Sequence, residues 1–402
     1  EMGEIQGAGK AMILRKITLP LVLPAILSAV ILTFSKAIGT FGTINYLGSP
    51  VQYYTLSSQL YMNINSRDTQ TGFAMAILMI IIASIAVFVN QKLIGSRKSY
   101  ATIGGKGGRS TLIGLGKVGR PVITAALFVF FAVGIIMPIV ILVMESFMLK
   151  EGIYSLDNFT LHYWIGESNP QIMEGLPGIF KNDEFINSLF NSLRLTLVNG
   201  VFGTIFGQLL GYITAKGRGR LHGKLVEQLV FIPYLIPSVA FGGIYLSMFS
   251  QPQQIFGVTL VPALYGTFAL LTLVSVVKHL PFAARAGTSN MLQISGELEE
   301  AATIEGAGFF RRFVKIVFPL SKGGFISGFM LIFVSIMKEL DLIILIMTPT
   351  TSTLPYLAFR YQNGNSPQAS DCVAIVMFSI VFLVYAIANL SGKADLAKSM
   401  AG

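Results

Sequence analysis

Cysteine, histidine and charge are all scarce in this chain, and each shortage removes a class of function. The single cysteine, Cys372, excludes an intramolecular disulfide and any thiolate metal cluster; at the head of an apolar run it reads as a small packing residue. Three histidines, His162, His222 and His279, lie far apart along the 402 residues and give little support to a histidine metal site. Charged residues make up 12% of the sequence against 53% hydrophobic, with a mean hydropathy of +0.68, too apolar for a soluble protein of this length. A phosphate loop is also missing. Gly9-Lys10-Ala11 and Gly116-Lys117-Val118 come nearest, and both lack the hydroxyl that would hold magnesium, so the chain itself is not expected to hydrolyse ATP. The net charge of +10 sits in loops on one side, which argues against nucleic acid as a partner. No signal peptide is visible, and the chain opens on Glu1.

What is present is apolar sequence in runs of about 18 to 25 residues, enough to cross a ~30 Å hydrocarbon core as helix. Such runs favour an all-α, polytopic helical bundle over a barrel, whose strands would alternate over about ten residues. Eight spans are expected, near residues 19–40, 72–89, 121–144, 188–215, 225–249, 259–280, 317–337 and 372–390. Residues 91–120 hold seven Lys and Arg, no acid and many glycines, the composition of a flexible basic linker. The 146–187 loop is acidic, 216–224 is basic, and 338–371 reads as a polar connection. The positive-inside rule then places the basic loops in the cytoplasm. Within the fourth span, Gly203, Gly207 and Gly211 put small residues on one helix face, where a neighbouring backbone can approach.

One basic-side loop is repeated. Glu300-Ala301-Ala302-Thr303-Ile304-Glu305-Gly306 is followed after nine residues by Ile316-Val317-Phe318-Pro319, and Glu1, Gly7, Ile17 and Pro20 stand 299 residues earlier at the matching places. Nine identities in 21 ungapped positions argue for an internal duplication. The layout predicts a short helix, a turn at Gly306 and a second helix stopped by Pro319. Two spans follow the first copy and six surround the second. The chain is therefore divided into 1–90, the linker, and 121–402, and about four spans are expected upstream in an intact protein of twelve.

These residues resemble the signature of permease subunits of binding-protein-dependent ABC importers: Glu-Ala-Ala, three residues, Gly, nine residues, Ile, one residue, Leu, Pro. The second copy departs only at Phe318, and the first has Met2 and Gly3 in place of the two alanines. The resemblance implies that each loop is a coupling helix seated in a cytoplasmic ATP-binding subunit, two copies of which carry ATP and magnesium, while an extracytoplasmic binding protein delivers the cargo. It also implies a bacterial-type inner membrane and no cofactor on this chain. Ala301 and Ala302 would allow close approach, Glu299 and Glu300 would favour the helix start and pair with a partner's basic groups, and Gly306 would permit the bend. Arg311, Arg312 and Lys315 suit anchoring at lipid headgroups. FGTINYLGSP and TLSSQLY look most like the ferric-iron permeases; similar permeases carry thiamine, polyamines, sulfate or phosphonates. A gradient-driven secondary transporter is the alternative of another class.

Charges beside the spans have two readings. Lys36 lies about 24 Å along a helix from Pro20 and is expected near the outer face, where Lys338, Glu339 and Asp341 end the seventh span. Together they could line the pathway, or they could snorkel to the interface or pair with one another. Arg194 is read the same way.

Overall fold

The structure, a computed structural model, describes residues 9–95 and 116–390. Glu1, Gly7 and linker residues 96–115 lie outside them. A chain in hydrocarbon must satisfy its own backbone, so the apolar runs become helices. The first is α1, Leu19–Gly39, entered through Lys10–Ile13 and a π turn at Leu14–Thr18. A short helix Gly42–Gly48 precedes α2, Leu56–Asn65, and α3, Thr69–Gly95. Helix α4 occupies Gly116–Glu145, α5 Asp183–Lys216, α6 Leu221–Leu235 and α7 Ser238–Phe249. An antiparallel hairpin of β1, Gln253–Ile255, and β2, Val258–Val261, leads to α8, Phe268–Met291. Then come α9, Gly296–Ile304; α10, Phe309–Leu320, with a π turn at Phe313–Val317; α11, Lys322–Met337; α12, Leu354–Asn363; and α13, Pro367–Leu390.

Among the described residues, α3, α4, α5, α8 and α13 are long and apolar enough to cross a membrane, giving five spans, or seven if the bent pairs α6–α7 and α10–α11 each count as one. Helix α1, 21 residues long, is the remaining segment of the eight expected.

Three expected boundaries move, each for a local reason. The fifth span is not straight: it bends by 98° between Leu235 and Ser238, where Pro237 cannot donate and Ile236 takes an extended backbone. The sixth span does not begin at 259, because 258–261 pairs as a strand. Instead α8 runs on through Pro281 to Met291, deep into the stretch assigned to loop 281–316. That extension is held by packing: Ala283 and Gly287 are buried against α5, and Ala286 is buried near Gly328 of α11. Nor is 338–371 an open polar connection. Leu342, Ile343 and Ile346 are fully buried in a core cluster with Leu195, Phe241, Leu270 and Ile336, and α12 is inserted behind them.

Helix α5 is the spine of the second half. Added Cβ atoms on Gly207 and Gly211 would lie 2.3 Å from the Ala283 Cβ and 2.5 Å from the Gly287 backbone, so the glycine stripe does bring α5 against α8 with backbones nearly touching. Gly200 and Gly203 instead make room for side chains of α11, the Phe329 ring and the Ile332 Cδ1 methyl. Polar groups inside this packing bond their own helix: Thr196 donates to the Ser192 carbonyl at 2.6 Å and Thr204 to the Gly200 carbonyl at 2.6 Å. Ser192 in turn accepts the Leu354 amide at 2.7 Å, satisfying a free donor at the start of α12.

The duplication is visible in the backbone. Two of the three π turns among the described residues stand at the 299-residue offset, directly before Leu19-Pro20 and Phe318-Pro319; the third, Ala132–Ile136, precedes Met137-Pro138 in α4. Helices α2 and α12 are both ten residues long and both follow a threonine, Thr55 and Thr353. Residues 9–95 meet the later helices through a core of Phe41, Leu60 and Met79 with Val239, Ile344 and Phe359, in which the Phe41 ring lies 4.6 Å from Tyr61 and 5.6 Å from Phe359. Cys372 is fully buried beside Leu357 and Tyr361, a packing residue as its sequence position suggested.

Candidate functional site

Two sets of residues carry the candidate chemistry, at opposite ends of α1 and α11. The first is the repeated loop. Ser295 caps α9 by accepting the Glu297 amide, and Glu297 and Glu299 place negative charge in the first turn, where the helix dipole favours it. The far end closes as a Schellman motif: Gly306, at φ +78°, donates to Thr303 at 3.0 Å, and Ala307 donates to Ala302 at 2.9 Å. Gly306 therefore makes the expected turn.

The two glutamates face opposite ways. Glu300 and Ala301 are exposed with Ile304, and Ala302 is half-buried. Glu299 does not reach outward as expected; it is buried, accepting from the Tyr212 hydroxyl at 2.6 Å and pairing with Lys216 at 2.6 Å, both on α5. The 3.6-residue period puts neighbours about 100° apart, so only one of two adjacent carboxylates can face out. Burial pulls the Glu299 pKa up, but the hydrogen bonds from Lys216 and Tyr212 and the charges of Lys216 and Arg312 outweigh it and hold the carboxyl below its ordinary 4.5. A lowered carboxylate pKa stabilises the folded state above the ordinary value and ceases to do so as pH falls through the lowered one. Hydrogen exchange in 296–304 is thus expected to accelerate on acidification below about pH 4.5, and Glu299→Gln should remove that step; an unchanged pH profile in the variant would refute the tie.

Pro319 does not stop the helix. The π turn at Phe313–Val317 makes room for the proline ring, the helix continues to Leu320, and the 76° bend falls at Ser321. In the first copy Pro20 likewise sits inside helix, with Ile17 and Pro20 exposed; Pro319 is exposed and Ile316 half-buried. Arg312 donates to the Thr303 hydroxyl and so braces the turn, while Arg311 and Lys315 are exposed.

The second set surrounds a cavity of about 270 Å³. All four pathway candidates line it: Lys36, Lys338, Glu339 and Asp341. Lys36 and Lys338 are exposed, Glu339 and Asp341 half-buried. The Lys36 ammonium lies 5.7 Å from the Tyr234 ring centroid and 5.9 Å from that of Phe282, level with the middle of α8. The 299-residue offset pairs Lys36, Gly39 and Thr40 with Ser335, Lys338 and Glu339, all of them lining residues, and it pairs Gly42 with Asp341. Those last two touch: the Gly42 amide donates to Asp341 Oδ1 at 2.9 Å. Contact between equivalent positions is what an internal two-fold axis through the cavity would produce.

Sequence reasoning missed Lys278 and His279. Lys278 is 8% exposed, and its ammonium donates to the carbonyl of Pro233 at 2.9 Å and to that of Ile236. These are carbonyls freed by the break at Pro237, and a neighbouring helix supplies their donor. His279 bonds the Ser275 carbonyl through Nδ1 at 2.9 Å and faces Glu339 through Nε2 at 3.5 Å. Glu339 also accepts the Leu342 amide at 2.9 Å. The available signal was a Lys-His pair inside the apolar run, read as the end of a span that in fact continues. Arg194 belongs to neither set; its guanidinium lies 4.2 Å from the Phe268 ring centroid. Among the described residues no three His, Cys, Asp or Glu side chains converge as a metal site.

The family described as binding-protein-dependent transport system inner membrane component matches residues 1–100 and 203–394. The ferric transport system permease protein of Actinobacillus pleuropneumoniae is 22% identical over 96% of the chain, and the sulfate transport system permease protein of Synechocystis sp. is 26% identical over 50% of it and 71% of its own length. The chain spans about half, 53%, of the length of the Actinobacillus relative. Among solved structures, a bacterial ABC transporter involved in the import of the acidic polysaccharide alginate aligns with 67% of this chain and 94% of its own, at a TM-score of 0.53 and 16% identity, a likeness of fold.

Proposed function

The chain belongs to the inner membrane components of binding-protein-dependent transport systems, the multi-pass permeases of ABC importers, and from that premise we propose that it forms part of a translocation pathway driven through its repeated loops. Residues 1–90 and 121–402 are the two permease halves, joined by the basic linker. Each loop faces the cytoplasm and docks on a separate ATP-binding subunit that holds ATP and magnesium, and an extracytoplasmic binding protein delivers the cargo. The membership displaces the gradient-driven alternative.

The observation that carries this reading is the split of Glu299 and Glu300. Helix α9 offers Glu300, Ala301 and Ile304 to a partner while Glu299 fastens its other side to α5. Displacement of α9 by a closing ATPase dimer would pull Lys216 and Tyr212, and α5 cannot move alone, because its backbone is packed on α8 at Gly207 and Gly211. Helix α8 carries Lys278 and His279 into the cavity. Motion at the loop is thereby delivered to the cavity.

Glu300→Lys and Gly306→Pro test the reading. Proline cannot adopt φ +78° and would delete the Gly306 donor. ATP-driven uptake by the reconstituted complex is expected to fall about ten-fold or more in either variant, with the protein still in the membrane; undiminished uptake would count against the docking role. For cargo, ferric iron is the first candidate, since the ferric relative aligns with 96% of the chain and the sulfate relative with 50%. Labelled ferric uptake that fails to compete with unlabelled iron but competes with thiamine or a polyamine would overturn it.

A further inference from the structure

We propose that the cavity is a binding station for an anionic, oxygen-bearing ligand, held between the ammonium groups of Lys36 and Lys338, one from each half. The proposal rests on the permease reading for its biological sense but not for its chemistry. That chemistry follows from which charges around the cavity are already engaged.

Besides the Tyr234 phenol, six lysine, histidine and acidic side chains line it: Lys36, Lys278, Lys338, His279, Glu339 and Asp341. Lys278 is spent on the carbonyls of Pro233 and Ile236. Glu339 is engaged by His279 and the Leu342 amide, and Asp341 by the Gly42 amide. Both carboxylates thus have donors from the protein itself. Lys36 and Lys338 do not have acceptors: among the described residues, neither ammonium has a carboxylate within 4.0 Å. Lys36 instead lies over the faces of Tyr234 and Phe282. The unanswered charge in the cavity is therefore positive.

Both lysines are exposed, so their ammonium groups are open to a ligand, and an anion held between them gains charge-assisted hydrogen bonds from both. Neutral donors stand beside them, the hydroxyls of Ser238, Ser335 and Tyr234. Helix α7 begins at Ser238, at the cavity wall. At about 270 Å³ the volume falls below the roughly 300–1,000 Å³ of pockets for drug-sized ligands, which suits a small ion keeping part of its water. A bare ferric ion fits poorly, because it would meet two ammonium groups and would have to take Glu339 from His279. The same anionic oxygens arrive either as a free tetrahedral oxyanion or as a chelate around ferric iron.

The test is equilibrium binding to the full-length permease complex in nanodiscs, with labelled molybdate, sulfate and ferric citrate as anionic probes and spermidine as the cationic one. At least one anionic probe is expected to bind, with affinity falling about ten-fold or more in Lys36→Gln and in Lys338→Gln and kept in Lys36→Arg and Lys338→Arg. Binding of molybdate or sulfate alone identifies a free oxyanion; binding of ferric citrate alone identifies the chelate. Spermidine binding that tightens in the glutamine variants, or anion binding indifferent to both, overturns the proposal. An oxyanion bound by a complex incapable of ATP-driven uptake would sink the permease reading and leave this station standing, whereas ATP-driven uptake with binding unaltered in the glutamine variants would do the reverse.

Discussion

Gly211→Val should force α5 and α8 apart and leave little folded protein in the membrane. Even the first added carbon would lie 2.5 Å from the Gly287 carbonyl carbon and from the Thr288 amide nitrogen. Those atoms are backbone, so no rotamer change relieves the clash, and the helices must separate along their contact. Overpacking commonly costs about 1–3 kcal/mol, and here the upper end or more is expected, because helix association in lipid depends on close packing with no hydrophobic drive behind it. Gly134→Val is the matched control: an added carbon there meets nothing within 4 Å, and α4 has no buried residue among those described. Thermal unfolding followed by size-exclusion in detergent should separate the two variants. Equal midpoints would mean that the glycine stripe is not a packing surface.

Lys278→Met is expected to be nearly as damaging, by a different route. Methionine fills much of the same space but cannot donate, so the carbonyls of Pro233 and Ile236 lose their protein donor at the 98° bend. Two stranded acceptors at about 1–3 kcal/mol each outweigh the relief of removing a buried ammonium, for a net loss of about 2–4 kcal/mol. Glu339 would also lose a neighbouring cation. The bend between α6 and α7 should then relax and the cavity lose its wall, so that uptake falls along with the melting temperature. Lys278→Arg, which can still donate to both carbonyls, is expected to recover most of the stability. A methionine variant as stable as the parent would show that the break is held by packing alone.

Sequence reasoning reached furthest where the information is local. The Gly306 turn is a matter of one residue's allowed dihedrals, and the α9 helix of a cap, two acids and a small-residue run; all were legible because each depends on neighbours within a turn. Pro319 was misread since a missing donor can be absorbed by a π turn as well as by a stop, and the choice depends on what the next helix packs against. The polar tail of α8 looked like loop because Arg285, Thr288, Ser289 and Asn290 interrupt the apolar pattern, yet small residues between them fit α5 so closely that the helix persists. Lys36, Lys338, Glu339 and Asp341 were picked out as a group, but not the cavity they share with Lys278 and His279, since hydropathy does not register which helices pack around a space.

From composition and pattern alone followed a helical membrane protein, a duplicated loop, the turn at its centre and the charges worth watching. Each of these rests on short-range chemistry or on repetition, which a linear string records in full. Tertiary structure decided which carboxylate faces the partner, which lysine mends a broken helix, and that charged positions from both parts of the chain line one cavity. Those outcomes belong to contacts between residues hundreds of positions apart, where the energy of a donor depends on the acceptor brought to it and on how little water comes along.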